Sequence, residues 1–255
     1  MNRHVFGLMV IGDEAGRYLY SAIDNAIKAV DVLFVFGDQP TDGSEEIVKS
    51  FPSAQVLYQR RSDGDPSFLE HEGRFRQASW ETFEVMVGPT TNDWIIGIDS
   101  DEVLVGPTEC RPCDLKPILD KAGGADAVLL PRPEVWGYDD QGWPLLRKDG
   151  YWGNIQCTRL FRYKPGGRIR DIPMGCGNEP EGFIKNIARF TNGVELLHYG
   201  YVHPDDRQDK YERYTRLSVG HDPRHIQSIL ATPTLVRWNG LIPPTMERGK
   251  TVHSS

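Results

Sequence analysis

The chain has 255 residues, with 29 basic and 36 acidic side chains, a formal charge of −7, 26 glycines and 18 prolines. A chain of this length buries about 70–75% of its unfolded surface on folding, enough for one or two domains; intrinsic disorder, a collagen-like repeat and a disulfide-stapled small scaffold are excluded. The acidic balance lowers the expectation of broad binding to nucleic acid or anionic membrane.

At the N-terminus, Val5 to Ile11 is a strand too short and too quickly followed by Asp13-Glu14 to be a signal peptide or membrane span. No window approaches 18 consecutive apolar residues, so no transmembrane segment is expected, and the four cysteines, Cys110, Cys113, Cys157 and Cys176, suit a reducing, cytoplasmic setting. Ala15 to Val30 carries Leu19, Ile23, Ala26, Ile27 and Val30 on one helix face. Val32 to Phe36 is the next strand, Ser44 to Ser50 a short helix, and Gln55 to Tyr58 a third strand. A polar loop from Arg60 to His71 leads into a helix over Glu72 to Val87, and Trp94 to Ile98 is a short apolar strand. This order predicts an α/β fold with a mostly parallel central sheet flanked by helices on both faces.

The second half is less regular. A helix over Lys116 to Ala122 follows the Pro107 to Pro112 stretch, and strands are expected over Ala127 to Leu130, Val135 to Tyr138, Ile155 to Tyr163, Gly167 to Asp171 and Phe190 to Tyr201. Asp205 to about Val219 reads as a polar helix, and Asp222-Pro223 opens another through Leu230. No linker or internal repeat separates units. The expected organisation is one domain over residues 1–220 and a peripheral C-terminal extension over 221–255, with a poorly ordered tail from Glu247.

The segment Asn92-Asp93-Trp94-Ile95-Ile96-Gly97-Ile98-Asp99-Ser100-Asp101-Glu102 runs an apolar strand directly into three acidic side chains. Parallel sheets place their ligand crevice at the carboxyl ends of strands. If strand geometry persists, Asp99 and Asp101 point to one side, where Mg²⁺ or Mn²⁺ would offset their repulsion and hold substrate phosphates. A second acidic strand end lies at Asp38. The alternative is a solvated acidic strand end.

These residues, together with Asp42-Gly43-Ser44, Arg159-Leu160-Phe161-Arg162, Gly177-Asn178-Glu179-Pro180, Leu196-Leu197-His198-Tyr199-Gly200, Lys210 and Arg213-Tyr214, resemble the nucleotide-sugar-dependent glycosyltransferases of the GT-A (Rossmann-like) fold, especially the inverting family 2 group. The resemblance spans about residues 5 to 215. It implies a nucleotide-diphosphate sugar donor, Mn²⁺ or Mg²⁺ as cofactor, and an acceptor hydroxyl on a glycan, protein, modified nucleic acid or small molecule. It places Asp38 at the donor nucleoside, Asp99 near the ribose, and Asp101 and His198 on the metal. A packed strand histidine is the other reading of His198.

By the same resemblance Glu179 is the general base, with Glu181 and Asp171 as rivals because Cys176-Gly177-Asn178 departs from the commoner Val-His that precedes the glutamate. A carboxylate suits the task of taking the acceptor's proton. Arg76 would lie near the nucleotide, or pair with Glu72 or Glu81 as an exposed helix arginine. Lys210 and Tyr214, four apart on one helix face, would close over the donor.

Other motifs are weaker. Cys110-Arg111-Pro112-Cys113 has half the spacing of a zinc site, and His221 and His225 have a helical interval interrupted by Pro223. The fingerprint glycines of dinucleotide-binding folds and the P-loop are absent. Trp136, Tyr138, Trp143, Tyr151 and Trp152 suit stacking on an acceptor ring, or simply cover a sheet edge. Alternatives to sugar transfer are a nucleotidyl- or phosphotransferase, with a second phosphorylated substrate on the basic stretch Arg159 to Arg170, and a non-catalytic carbohydrate- or nucleotide-binding protein.

Overall fold

A computed structural model describes residues 3–58, 67–106, 115–174, 177, 179–189, 193–217, 223–240, 246 and 248–249. The Pro107 to Pro112 stretch, Cys110, Cys113, Cys176, Asn178, His221 and most of the tail lie outside the described residues.

The first half forms β1 (Val5–Ile11), α1 (Leu19–Ala29), β2 (Val32–Gly37), α2 (Ser44–Lys49), β3 (Ala54–Tyr58), α3 (Glu72–Val87) and β4 (Trp94–Gly97). Strand alternation divides the apolar residues between two cores. Val5, Met9 and Ile11 of β1, Leu33 and Val35 of β2, and Trp94 and Ile96 of β4 pack with Leu19 and Ile23 of α1 and Ile47 of α2. Phe6, Leu8, Val10, Phe34, Phe36 and Ile95 face the other way, onto Phe75, Trp80 and Phe83 of α3. Strands apolar on both faces are what a parallel sheet covered on both sides requires.

The second half adds β5 (Glu102–Val105), α4 (Lys116–Ala122), β6 (Ala127–Pro131), β7 (Val135–Tyr138), β8 (Pro144–Arg147), β9 (Gln156–Arg162), β10 (Ile187–Ala188), β11 (Glu195–His198), α5 (Pro204–Leu217), α6 (Pro223–Ser228) and β12 (Leu235–Arg237). The main sheet runs β10-β6-β9-β4-β1-β2-β3. Its strands β4, β1, β2 and β3 pair in parallel, and β9 lies antiparallel between β4 and β6. Two small antiparallel sheets, β11-β5 and β12-β8-β7, make up the irregular part. The fold class is therefore the expected one, a GT-A-like, mostly parallel α/β sheet with a more irregular second half.

Two expectations are corrected. Gly167 to Asp171 is not a strand: the following residues are pinned to the start of α3, where the Glu72 amide donates to Pro173 O (2.8 Å) and the Gly73 amide to Ile172 O (3.0 Å). The strand expected over Phe190 to Tyr201 is limited in its described part to β11, preceded by Gly193 at φ +81°. The segment from Pro223 contributes β12 and the buried Ile229 and Trp238, and Ser228 O accepts from Arg147 Nη1 at 2.7 Å. None of the described helices is long and apolar enough to cross a membrane.

Candidate functional site

A cavity of about 290 Å³ opens at the carboxyl ends of β1 and β4, where Val10, Glu14, Asp99, Ser100 and Asp101 line it. Beyond β4 the chain turns: the Glu102 amide donates to Asp99 O (3.0 Å) and the Asp99 amide to Glu102 Oε2 (2.9 Å). The strand geometry assumed for Asp99 and Asp101 thus ends before them, yet both still face the cavity. After the turn, β5 pairs with β11 so that Glu102 lies opposite His198, and the Tyr199 amide donates to Asp101 O at 2.8 Å. This register sets His198 Nε2 3.4 Å from Asp101 Oδ2.

The charges around the cavity alternate in sign. Glu72 pairs with Arg76 (2.7 Å), Arg76 and Arg159 with the two oxygens of Asp99 (2.9 and 2.6 Å), Arg132 with Glu102 (2.9 Å) and Glu134 (3.3 Å), Glu134 with His198 Nδ1, and Asp101 with His198 and Lys210 (3.4 Å each). Buried charges persist only when compensated in this way. Burial opposes ionisation of Asp99, but Arg159 and Arg76 outweigh it and hold its carboxyl well below the usual range. Burial likewise works against Asp101, which His198 and Lys210 keep ionised, and against charged His198, which Glu134 and Asp101 favour. Glu14 differs: burial pushes its carboxyl up to about 7, only partly countered by Arg17.

Asp99, Asp101, His198, Arg76 and Lys210 all line the cavity. Arg76 is buried, bonding Glu72 and reaching Asp99, so it is not the exposed helix arginine of the alternative reading. Asp38 is buried at the end of β2, outside the lining residues. Its Oδ2 accepts the Phe68 amide at 2.7 Å, and Phe68 is part of the cavity wall beneath the Arg76 guanidinium, 5.4 Å from the ring centroid. Glu179 accepts from the Thr158 hydroxyl (3.2 Å) and lies against Gly177, a lining residue; a Cβ on Gly177 would meet Glu179 Oε2 at 2.2 Å. The rivals are exposed and engaged elsewhere, Asp171 with Arg74 (3.2 Å) and Glu181 with Arg170 (3.4 Å).

A divalent cation fits the donor chemistry. Asp101 offers a carboxylate oxygen and His198 turns Nε2 toward it, while Glu134 holds Nδ1, the carboxylate–histidine pairing that orients metal-ligating imidazoles. Gly200 lets these groups approach closely: a Cβ there would lie 2.0 Å from Lys210 Nζ, 2.5 Å from Asp101 Oδ2 and 2.8 Å from His198 Nε2. No group of three or more His, Cys, Asp or Glu side chains suited to a metal occurs among the described residues. Water and substrate oxygens would supply the other ligands, as is common for Mg²⁺.

Sequence reasoning missed Glu14, Arg17, Arg132, Glu134 and Gly200. One available signal was Arg132-Pro133-Glu134, charges directly after the apolar strand β6, the same pattern that exposed Asp99 to Glu102. The basic stretch does not form one patch. Arg159 lines the cavity, Arg162 bonds Gly123 O and lies over Trp94, Lys164 pairs with Asp126, and Arg168 and Arg170 are exposed. The aromatic group also divides. Tyr151 and Trp152 line the cavity with His225, whereas Trp136 stacks on Tyr201 at 4.8 Å and Trp143 packs toward Trp238.

No family model matches the sequence. Uncharacterized proteins of Mycobacterium bovis and Mycobacterium tuberculosis are each 27% identical over 217 residues, covering 82% of this chain and 49% of theirs, so the chain spans about half the length of these curated relatives. Among solved structures, a 4-diphosphocytidyl-2C-methyl-D-erythritol synthase is similar at 14% identity and TM-score 0.39, over 64% of this chain and 76% of that one. The glucosyl-3-phosphoglycerate synthase of Mycobacterium tuberculosis, in complex with Mn²⁺, uridine diphosphate and glucosyl-3-phosphoglycerate, is similar at 22% identity and TM-score 0.34, over 52% and 44%. A further mycobacterial protein gives 17% identity and TM-score 0.42 over 95% and 87%.

Proposed function

We propose that the chain is a metal-dependent inverting glycosyltransferase of the GT-A, family 2-like kind, moving a hexosyl group from a nucleotide-diphosphate sugar to an acceptor hydroxyl. The observation that carries this reading is the Asp101–His198 pair just beyond the carboxyl end of a parallel strand, with the side-chain-free Gly200 beside their donor atoms and a cation, the Lys210 ammonium, already drawn to them. When bound, Mg²⁺ or Mn²⁺ would neutralise charge on the departing diphosphate. Lys210 and Arg17, beside Asp101 at 3.4 and 4.0 Å, are placed to add positive charge at the same end. At the other end Asp38 braces Phe68, whose ring with Arg76 offers a flat surface for the nucleobase.

In this reading Glu179 accepts the proton of the acceptor hydroxyl as its oxygen bonds to the anomeric carbon and the bond to the diphosphate breaks. Its nearness to Gly177 supports it over Asp171 and Glu181. Tyr151, Trp152 and His225 form the wall proposed for the acceptor. The test is a panel of nucleotide sugars with Mn²⁺ or Mg²⁺, read by mass spectrometry. Nucleoside diphosphate with free or transferred sugar is the expected product. Pyrophosphate release would replace the reading with nucleotidyl transfer, and no turnover with any donor would leave only a binding protein.

A further inference from the structure

Lys210 stands beside both groups proposed to hold the metal, as far from each as they are from one another. Its Nζ lies 3.4 Å from Asp101 Oδ2, 3.4 Å from His198 Nε2 and 4.4 Å over the Tyr201 ring. The gap above Gly200 is therefore already used: a Cβ at that glycine would meet Lys210 Nζ at 2.0 Å, closer than either metal donor. An ammonium and a divalent ion sharing one carboxylate oxygen in a half-closed site repel by far more than thermal energy. By itself the Asp101–Lys210 pair is neutral. A divalent ion added alone leaves the site strongly positive, whereas a diphosphate brings the compensating negative charge.

We propose that Lys210 is the resident cation of the Asp101–His198 site, excluding a divalent metal from the free protein until a donor diphosphate takes over its ammonium. Lysine suits this exchange, since a point charge on a flexible four-carbon stem changes partner without moving the helix that carries it. Metal and donor thus load together, and metal without donor loads poorly. The role of the diphosphate rests on the nucleotide-sugar reading above; the competition between ammonium and metal does not.

The experiment is a titration of free Mn²⁺, followed by electron paramagnetic resonance, in wild type, Lys210→Met and Lys210→Arg without nucleotide. Lys210→Met is expected to bind Mn²⁺ at least ~10-fold more tightly than wild type, and Lys210→Arg no more tightly, because it keeps the charge. In a metal-free calorimetric titration with pyrophosphate, Lys210→Met is expected to bind at least ~10-fold more weakly than wild type. Near-UV circular dichroism establishes that the variants are folded, and Lys210→Gln supplies the same comparison if the methionine variant is not. Equal or weaker Mn²⁺ binding by the folded neutral variant, or unchanged pyrophosphate binding, overturns the proposal. Neither titration uses a sugar: lost competition with sugar transfer intact sinks this inference alone, and the reverse outcome sinks only the transferase reading.

Discussion

Glu14 lines the cavity with a carboxyl pushed up to about 7 from its ordinary 4.5, burial being the main cause. A raised pKa means that the folded chain holds the proton more tightly than the unfolded chain. The contribution is fully favourable below about 4.5 and is lost as pH rises through about 7, a change of roughly 3 kcal/mol at most. Glu14→Gln stays neutral throughout, so its stability relative to wild type should improve between pH 5 and pH 8; calorimetric melting at both values checks this, and a pH-independent difference would refute the assignment. At the proposed base, Glu179→Gln should keep donor binding while turnover falls by roughly 10²-fold. Turnover near wild type in that variant, with Asp171→Asn or Glu181→Gln folded but inactive, would move the base to the rival. Asp99 and Asp101 were legible because they stand just after a short apolar run, and His198 only through the family resemblance. Their partners were not: Arg159 lies 60 residues from Asp99, and Glu134 lies 64 from His198. Such compensation has no local trace in the sequence.

At the level of elements, the period-2 strands and apolar helix faces of the first half were readable because both faces of the sheet are covered by the same chain. Strand β5 was not, since it begins with a glutamate. Glu102 is fully buried in it only because Arg132 and Arg159 neutralise it from distant segments. Yet this strand sets the site, because its pairing with β11 brings Asp101 to His198 and leaves Gly200 beside them. Gly200→Ala should therefore fold with a loss of about 1–3 kcal/mol, as an overpacked position does, and lose Mn²⁺ and donor binding far beyond that. Gly124→Ala, where an added Cβ meets nothing within 4 Å, serves as the matched control. Thermal melting beside Mn²⁺ titration in the presence of a nucleoside diphosphate separates the two effects, and undiminished metal binding in Gly200→Ala would remove the proposed cradle.

Across the whole molecule, the two halves join through the β4–β9 pairing, and the segment from Pro223 closes the three-stranded small sheet through β12. Composition and spacing made residues 221–255 look peripheral, because a short strand such as β12, with exposed Leu235 and Val236, carries little apolar signal of its own. Its anchoring lies in single long-range bonds. Trp152 Nε1 donates to Ser228 Oγ (2.9 Å), Trp238 Nε1 donates to Glu195 Oε2 (2.9 Å), and the Gly249 amide donates to Arg17 O (2.8 Å) beside the cavity. Trp238 is buried in the cluster that also holds Tyr18, Leu197 and Tyr199, next to β11 and hence next to His198. Trp238→Ala should cost roughly 3–5 kcal/mol, lowering the melting temperature by about 10 °C in a chain of this size. It should also weaken Mn²⁺ binding, through the loosened β5–β11 pair. Ending the chain before Pro223 removes His225 from the cavity wall as well, so that variant should melt lower still and bind no donor. A truncated chain that melts with wild type and retains donor binding would make the segment an appendage after all, and the cavity would then have to be complete without its aromatic wall.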